Sequence, residues 1–307
     1  LAKAAKAAWE AGSEFEPVVR GDDEVTAVLF TSGSTGTPKG SMFTESLMRP
    51  SAGNTVVVPL VRFAFQSFDP TFVLSLLSTM RLGQVRIFAS SMANMRRDLE
   101  IARPTNLGAA PSFWASLYNE YRAKTVELMA DGGLGRAEAA AAAGAAVKAS
   151  LGNRLMVATS GGAPLSEQVA EFAKQVLGID LVNLYGSRET GGIARDGVVY
   201  PGIEVHLEPL AEELLGDVAA GSVSVGEIYV HSPRLIPGYW GNAEATAERF
   251  VDLHGDGRLF YKTGDIGETF VDSESGRISV RIVDRVASCI KLVSGEWIAP
   301  AAIESAL

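Results

Sequence analysis

The chain has 307 residues, 47% of them hydrophobic and 21% charged, with 32 glycines, which allows one large α/β unit with an appendage, or two domains, and excludes a disordered tail. Its 27 basic against 36 acidic residues leave a formal net charge of −9, which argues against a nucleic-acid or anionic-membrane partner and requires any polyanion to be bound by local geometry. A single cysteine, Cys289, excludes an internal disulfide and a cysteine-based zinc site and points to a reducing, cytoplasmic setting, while His206, His231 and His254 lack metal-ligand spacing.

Residues 1–11 read as an Ala/Lys amphipathic helix and residues 25–30 as a buried strand. That strand empties into Thr-Ser-Gly-Ser-Thr-Gly-Thr-Pro-Lys-Gly at 31–40. Small hydroxyl and glycine residues ending in Lys39 offer a concave run of backbone N–H groups and one cation, which is how polypeptide holds a polyphosphate. The segment is not a Walker loop, because Lys39 precedes Gly40 instead of following a glycine, and G-x-G-x-x-G does not occur in it.

Residues 71–82 predict a helix and 85–89 a short strand. Strands and helical stretches alternate again through 97–130 and 155–193, with strands near 155–158 and 181–185, the rhythm of an α/β fold. The Ala-rich, low-complexity stretch 136–149 predicts a surface helix with little to pack, tolerant of change. After Gly192 short strands at 198–207, 223–230, 259–261 and 278–284 predict a smaller β-rich subdomain, with a further boundary near Asp284-Arg285, where the β pattern yields to residues 290–292 and an opening helix at 299–307. The expected division is an α/β core subdomain over 1–192, a β-rich subdomain over 193–284, and the beginning of a truncated C-terminal α+β domain over 285–307. With no initial Met and an ending inside a helix, the chain reads as a fragment of something longer. No run of about 18 apolar residues and no signal pattern is present, so no integral membrane segment is expected.

Four segments in order carry a resemblance: Ser-Gly-Ser-Thr-Gly-Thr-Pro-Lys-Gly at 32–40, Asn-Leu-Tyr-Gly-Ser-Arg-Glu-Thr-Gly at 183–191, Tyr-Lys-Thr-Gly-Asp at 261–265, and Asp284-Arg285 with Gly295-Glu296 beyond it. Together they resemble the adenylate-forming superfamily, which includes acyl-CoA synthetases, peptide-synthetase adenylation domains, luciferases and carboxylic acid reductases. The resemblance implies the adenylate-forming fold, a layered α/β core with a small β-rich subdomain and the start of a C-terminal α+β domain. It implies that Thr31, Ser32, Gly33, Ser34, Thr35, Gly36 and Lys39 hold ATP phosphates, that Tyr185 and Gly186 lie against adenine, and that Glu189 holds Mg²⁺, in keeping with the oxygen preference of that ion. Asp265 would accept both ribose hydroxyls, as a carboxylate is able to do, and Arg285 would donate to ribose and phosphate. Gly161, Gly162 and Ala163 resemble the turn that passes under the adenine and acyl chain, a sequence that on its own is also an ordinary turn before a helix. The N-terminal subdomain and most of the C-terminal domain of the family, with its adenylation lysine, lie outside these residues.

Three positions depart from the family pattern. Arg188 stands where Tyr-Gly-x-Thr-Glu has threonine, a cation that suits phosphate geometry and also crowds the site. Arg62, in Pro59-Leu60-Val61-Arg62, stands for the histidine of a Pro-x-x-His stretch, and Ala287 for a hinge residue that is commonly Asp or Lys. Lys-Gly-Ser-Met-Phe-Thr-Glu at 39–45 resembles carboxylic acid reductases, while the Ile-Pro-Gly-Tyr-Trp stretch at 236–240 and residues 291–297 are compatible with reductases and with long-chain acyl-CoA synthetases.

The implied reaction is ATP- and Mg²⁺-dependent activation of a small-molecule carboxylic acid, fatty or aryl, as acyl-AMP, followed by transfer to CoA or to a carrier-protein phosphopantetheine thiol, with Lys39 and Arg188 as candidate catalytic cations. A nucleotide-binding homologue without chemistry is the second reading. A kinase is disfavoured by the missing Walker and kinase catalytic-loop patterns. The aromatic stretch 63–68, Phe113-Trp114 and residues 161–163 fit an apolar acyl pocket and equally a packed core. Cys289 reads as a small buried residue.

Overall fold

The computed structural model describes residues 19–31, 38–49, 60–65, 70–209, 225–273, 275–291 and 297–298. The helices expected at 1–11 and 299–307 lie outside them. In chain order the first half comprises β1 (Val25–Thr31), β2 (Lys39–Thr44), α1 (Glu45–Met48), β3 (Val61–Ala64), α2 (Pro70–Arg81), β4 (Val85–Phe88), α3 (Met95–Ala102), β5 (Asn106–Ala109), α4 (Pro111–Gly132), α5 (Arg136–Ser150), β6 (Val157–Gly161) and α6 (Glu167–Phe172), which runs into a π turn, Ala173–Leu177. The second half comprises β7 (Leu181–Ser187), β8 (Gly191–Arg195), β9 (Val198–Val199), β10 (Glu204–Pro209), β11 (Val225–His231), α7 (Ala243–Arg249), β12 (Phe250–Asp252), β13 (Leu259–Val271), β14 (Ile278–Arg285), a 3₁₀ turn (Val286–Ser288), β15 (Ile290–Lys291) and β16 (Trp297–Ile298).

Local chemistry explains the helix ends. Pro111 opens α4, where its missing N–H costs nothing, and Gly133 closes it in the left-handed conformation. Ser166 Oγ accepts the Val169 N–H at the start of α6, and Asn242 Oδ1 accepts the Ala245 N–H at the start of α7.

A 12-stranded sheet runs in the order β10-β11-β13-β14-β9-β8-β7-β6-β5-β3-β4, with β12 on β13. From β4 to β7 the strands are parallel, joined by helical crossovers, and from β7 to β10 they are antiparallel. The hairpin β1-β2 forms a separate sheet. One core packs Leu99, Leu107, Trp114, Leu117, Val147 and Phe172 around the parallel strands. Another gathers Ile193, Ile228, Val230 and Val280 within the antiparallel part, and a third joins Leu29 and Phe43 of the hairpin to Tyr239, Phe250 and Tyr261. Among the described residues no helix is long and apolar enough to cross a membrane.

Strand β13 is 13 residues long, not the short strand expected at 259–261. Thr263, Gly264 and Asp265 interrupt its apolar alternation, because the chain bulges there: β11 advances from Glu227 to Tyr229 while β13 runs from Ile266 to Lys262. The Ala-rich stretch is also corrected. Helix α5 buries Ala139, Ala143, Gly144 and Val147 on one face, and a Cβ at Gly144 would stand 2.8 Å from Val176 Cγ1. Small side chains there are a condition of close approach, so the helix is half core.

Replacing Ala143, fully buried, by Leu is expected to cost about 1–3 kcal/mol by overpacking. The neighbouring Ala142→Leu, on the exposed face, is expected to stay within about 0.5 kcal/mol of the parent. Urea unfolding midpoints read both, and equal midpoints would restore the picture of a tolerant surface helix.

Candidate functional site

The glycine-rich segment joins the two strands of a hairpin. Thr31, the last residue of β1, pairs with Lys39, the first of β2, so the ends of the loop are held opposite each other. Ser32, Gly33, Ser34, Thr35 and Gly36 lie outside the described residues. A third segment flanks the hairpin: Met42 N–H donates to Gly238 O at 3.0 Å, Trp240 N–H donates to Gly40 O at 2.7 Å, and Ser41 bridges to Tyr239. Gly238 is obligatory in this arrangement. Its φ of +145° is unsuited to an L side chain, and a Cβ would stand 2.5 Å from Thr246 Cγ2. Tyr239 N–H donates to Thr246 Oγ1 at 2.9 Å, which fixes the next residue. The Lys39 ammonium then lies over the Tyr239 ring, 5.4 Å from its centre.

The turn between β7 and β8 carries the second group. Gly186 has no room for a side chain, since a Cβ would meet Gly191 O at 2.4 Å. Arg188 Nη1 donates to Phe30 O at 2.7 Å, tying this turn to the root of the glycine-rich hairpin across 158 residues of sequence. Glu189 is 7% exposed. Its Oε1 accepts the Tyr239 hydroxyl at 2.9 Å, and its backbone carbonyl accepts Ile236 N–H at 2.9 Å. Burial and the neighbouring Glu189 charge raise both adjoining phenols, Tyr239 well above its usual range and Tyr261 to about 12. Both therefore remain hydrogen-bond donors at any physiological pH.

The third group is built on the β13 bulge. Thr263 Oγ1 donates to Ile228 O at 2.8 Å and accepts Asp265 N–H at 3.0 Å, and the half-buried Glu227 takes the Gly264 N–H. Asp265 is thereby presented to two donors. The Tyr185 hydroxyl reaches its Oδ2 at 2.9 Å, and Arg285, its direct cross-strand neighbour on β14, places Nε 3.3 Å from Oδ1. Burial raises the Asp265 carboxyl above the ordinary Asp value in spite of both partners. Burial, and then the Asp265 charge, also push Tyr185 strongly upward. A carboxylate has about four acceptor positions, so a further pair of donors fits.

The arrangement joins Tyr185, Asp265 and Arg285 by direct contact, Glu189 to Tyr239, and Lys39 to the same tyrosine. Gly161 ends β6 in register with Leu184, beside Tyr185, and Gly162 and Ala163 follow it at the same edge of the sheet. Arg62 does not join them. It is level with Asn106 and Val157, at the opposite end of the parallel strands from Gly161, and its Nε donates to Gln84 Oε1 at 2.9 Å. The departure read at Arg62 thus has no place in the site. Phe63 and Trp114 are core residues, and the Trp114 N–H donates to Thr159 O at 3.2 Å; Phe68 lies outside the described residues. Cys289 is half-buried and not fully enclosed, its Sγ 3.4 Å from Arg285 O. Ala287 is an exposed residue of the 3₁₀ turn.

Tyr239, Thr263 and Glu227 are the partners that sequence reasoning missed. Thr263 sat inside a quoted motif without a role, and the stretch 236–240 carried only its compatibility with reductases and long-chain acyl-CoA synthetases, with no role for Tyr239. The contact with Glu189, 50 residues away, has no local signature.

The sequence family described as AMP-binding enzyme matches residues 1–240. A carboxylic acid reductase of Segniliparus rugosus is 31% identical over 93% of this chain and 24% of its own length, and one of Mycobacterium tuberculosis is 30% identical over 92% and 24%. Fatty acyl-CoA synthetase A of Dictyostelium discoideum is 28% identical over 92% of the chain and 46% of its own. The chain therefore spans less than half the length of these relatives. Among solved structures, the adenylation domain of a carboxylate reductase from Mycobacterium chelonae superposes with a TM-score of 0.79 at 30% identity, over 93% of this chain and 44% of that one. The adenylation domain of the Segniliparus rugosus reductase, in complex with AMP and a co-purified carboxylic acid, gives 0.77 at 26% identity, over 99% and 52%.

Because the folded Asp265 pKa lies above its unfolded value, the folded state binds more protons there, and stability falls as pH rises from the ordinary Asp pKa of about 3.9 through the folded one. Asp265→Asn, which keeps an acceptor for Tyr185, is expected to raise the melting temperature near neutral pH by on the order of 2 °C. The gain should vanish as pH falls below the ordinary carboxylate range. Thermal unfolding across pH checks this, and a variant less stable than the parent at neutral pH would refute it.

Proposed function

We propose that this chain, which belongs to the AMP-binding enzyme family, is the central part of an enzyme that activates a carboxylic acid with ATP and passes the acyl group to a thiol. The observation that carries the reading is the Tyr185 hydroxyl on Asp265 at 2.9 Å with Arg285 on the other oxygen. Three motifs distant in sequence thereby meet as one polar cluster beside the Gly161 turn.

In the proposed reaction a substrate carboxylate oxygen attacks the α-phosphorus of ATP, the bond to the β-phosphate bridging oxygen breaks, and acyl-AMP and pyrophosphate form. The thiol then displaces AMP from the acyl carbon. The chain's part is positioning and charge stabilisation. Asp265 takes the ribose hydroxyls, Arg285 the ribose and phosphate, Tyr185 and Gly186 the adenine, with Gly161, Gly162 and Ala163 beneath it, and Lys39 with Thr31 and residues 32–36 the phosphates.

The donor set at Glu189 fits Mg²⁺. It is a buried carboxylate whose hydrogen-bond partners are neutral, with no ion pair among the described residues. Mg²⁺ characteristically takes one or two carboxylates and completes its shell with water and substrate phosphates. When bound it would neutralise phosphate charge, and Glu189 would be the residue that holds it. A fatty or aryl acid, and CoA or a carrier phosphopantetheine as acceptor, are the partners this reading assigns. The reductase-like subgroup is supported by the relatives named above.

A binding module without turnover is favoured by one observation, the commitment of Arg188 to Phe30 O. In the full-length parent, Glu189→Ala is expected to lower ATP–pyrophosphate exchange by about 10²–10³-fold, the usual cost of removing one charge-stabilising group. ATP binding by calorimetry with no exchange in the parent itself would select the binding module. An unchanged exchange rate in the variant would remove Glu189 from the metal site.

A further inference from the structure

We infer that Tyr239 is the positioning residue that couples the phosphate hairpin to the carboxylate of Glu189 and thereby sets the affinity for the metal-bound nucleotide. The inference rests on the reading of Glu189 as the Mg²⁺ ligand. Four observations converge on this one residue. Its backbone lies beside β2, through the isolated Ser41 bridge and the flanking bonds from Met42 and Trp240. Its ring lies under the Lys39 ammonium, at 5.4 Å. Its hydroxyl donates to Glu189 Oε1 at 2.9 Å. It is 4% exposed and packed edge-on against Phe250, at 5.7 Å between ring centres, so the hydroxyl is not free to swing away.

The chemistry follows from that geometry. A buried carboxylate that loses one of its donors is free to reorient, and that turns its other oxygen away from a metal. With Oε1 held by the Tyr239 hydroxyl, the second oxygen keeps its direction. Partners of this kind behind a metal ligand are commonly worth about 10–100-fold in metal affinity or activity. Because the ring also seats Lys39, any displacement of the hairpin is transmitted to Glu189 through one rigid side chain. The hydroxyl and the ring therefore have separable duties: the first acts on the metal, the second on the phosphate-binding lysine.

The test uses the full-length parent and the variants Tyr239→Phe, Tyr239→Leu and Glu189→Ala, with ATP affinity measured by calorimetry in Mg²⁺ and in EDTA. Tyr239→Phe keeps the ring and loses only the hydroxyl. It is expected to weaken binding in Mg²⁺ about tenfold or more and to leave binding in EDTA within about twofold of the parent. Tyr239→Leu is expected to weaken binding in EDTA as well. Unchanged EDTA affinity in Tyr239→Phe also shows that the variant is folded. If Glu189→Ala lowers the Mg²⁺ advantage while Tyr239→Phe leaves it intact or enlarges it, Tyr239 does not position the carboxylate and the inference fails alone. If Glu189→Ala leaves the Mg²⁺ advantage unchanged, the metal reading fails and takes the inference with it.

Discussion

The hydrogen bond from Tyr185 to Asp265 is the constraint on which the site depends, because it joins strands that are not neighbours. In the sheet order β7 and β13 are separated by β8, β9 and β14, so a flat sheet would hold them about 19 Å apart at the usual strand spacing. A bond of 2.9 Å between them requires the antiparallel half to curl back over the end of the parallel half. The means are visible in the register: the pairing shifts at Tyr185/Gly186, at Glu227/Tyr229 and at Ile266/Gly267. Bulges sharpen the right-handed twist that sheets already have. The same closure lets Ser232 Oγ donate to Thr190 O and Ile236 N–H to Glu189 O. Without the curl, the motif residues would be scattered along a ribbon.

Closure also creates a cost. It takes two carboxylates out of water, Asp265 and Glu189, and burial pushes the Asp265 carboxyl upward even with a phenol and a guanidinium beside it. Buried acids held by hydrogen bonds are poor stabilisers compared with apolar packing of the same volume. Their presence at the convergence of three motifs matches the pattern in which a fold gives up stability where it acts on a ligand. The proposed nucleotide and metal would offset that cost on binding, since a ligand that prefers the native state stabilises it.

The β1-β2 hairpin is held to this closed sheet by contacts from three directions. Arg188 reaches Phe30 O, Arg234 Nη2 reaches Leu47 O just beyond the hairpin at 2.8 Å, and the backbone around Tyr239 runs beside β2. Arg188 is the informative one. A hydroxyl in its place could not span to the hairpin, so the substitution at that position exchanges a short donor for a long strut. It acts on the placement of the loop's root, a role that phosphate-matching geometry alone would not suggest.

The sequence by itself determined the local facts. The strand before the glycine-rich loop, strands near β6 and β7 and the α/β rhythm were legible, since each depends on a few adjacent residues and their periodicity, whereas the choice of Tyr185, Glu189, Asp265 and Arg285 as site residues came from the resemblance of their motifs. What only the tertiary structure decided depends on residues far apart in the chain. It decided that Tyr239 is the partner of Glu189, and that Arg62 sits at the wrong end of the strands because of parallel register. It buried one face of the Ala-rich helix against Val176, where propensity alone described a surface. The physical reason is the same in each case: composition and spacing specify what a segment is able to form, whereas sheet curvature and side-chain reach settle which segments touch.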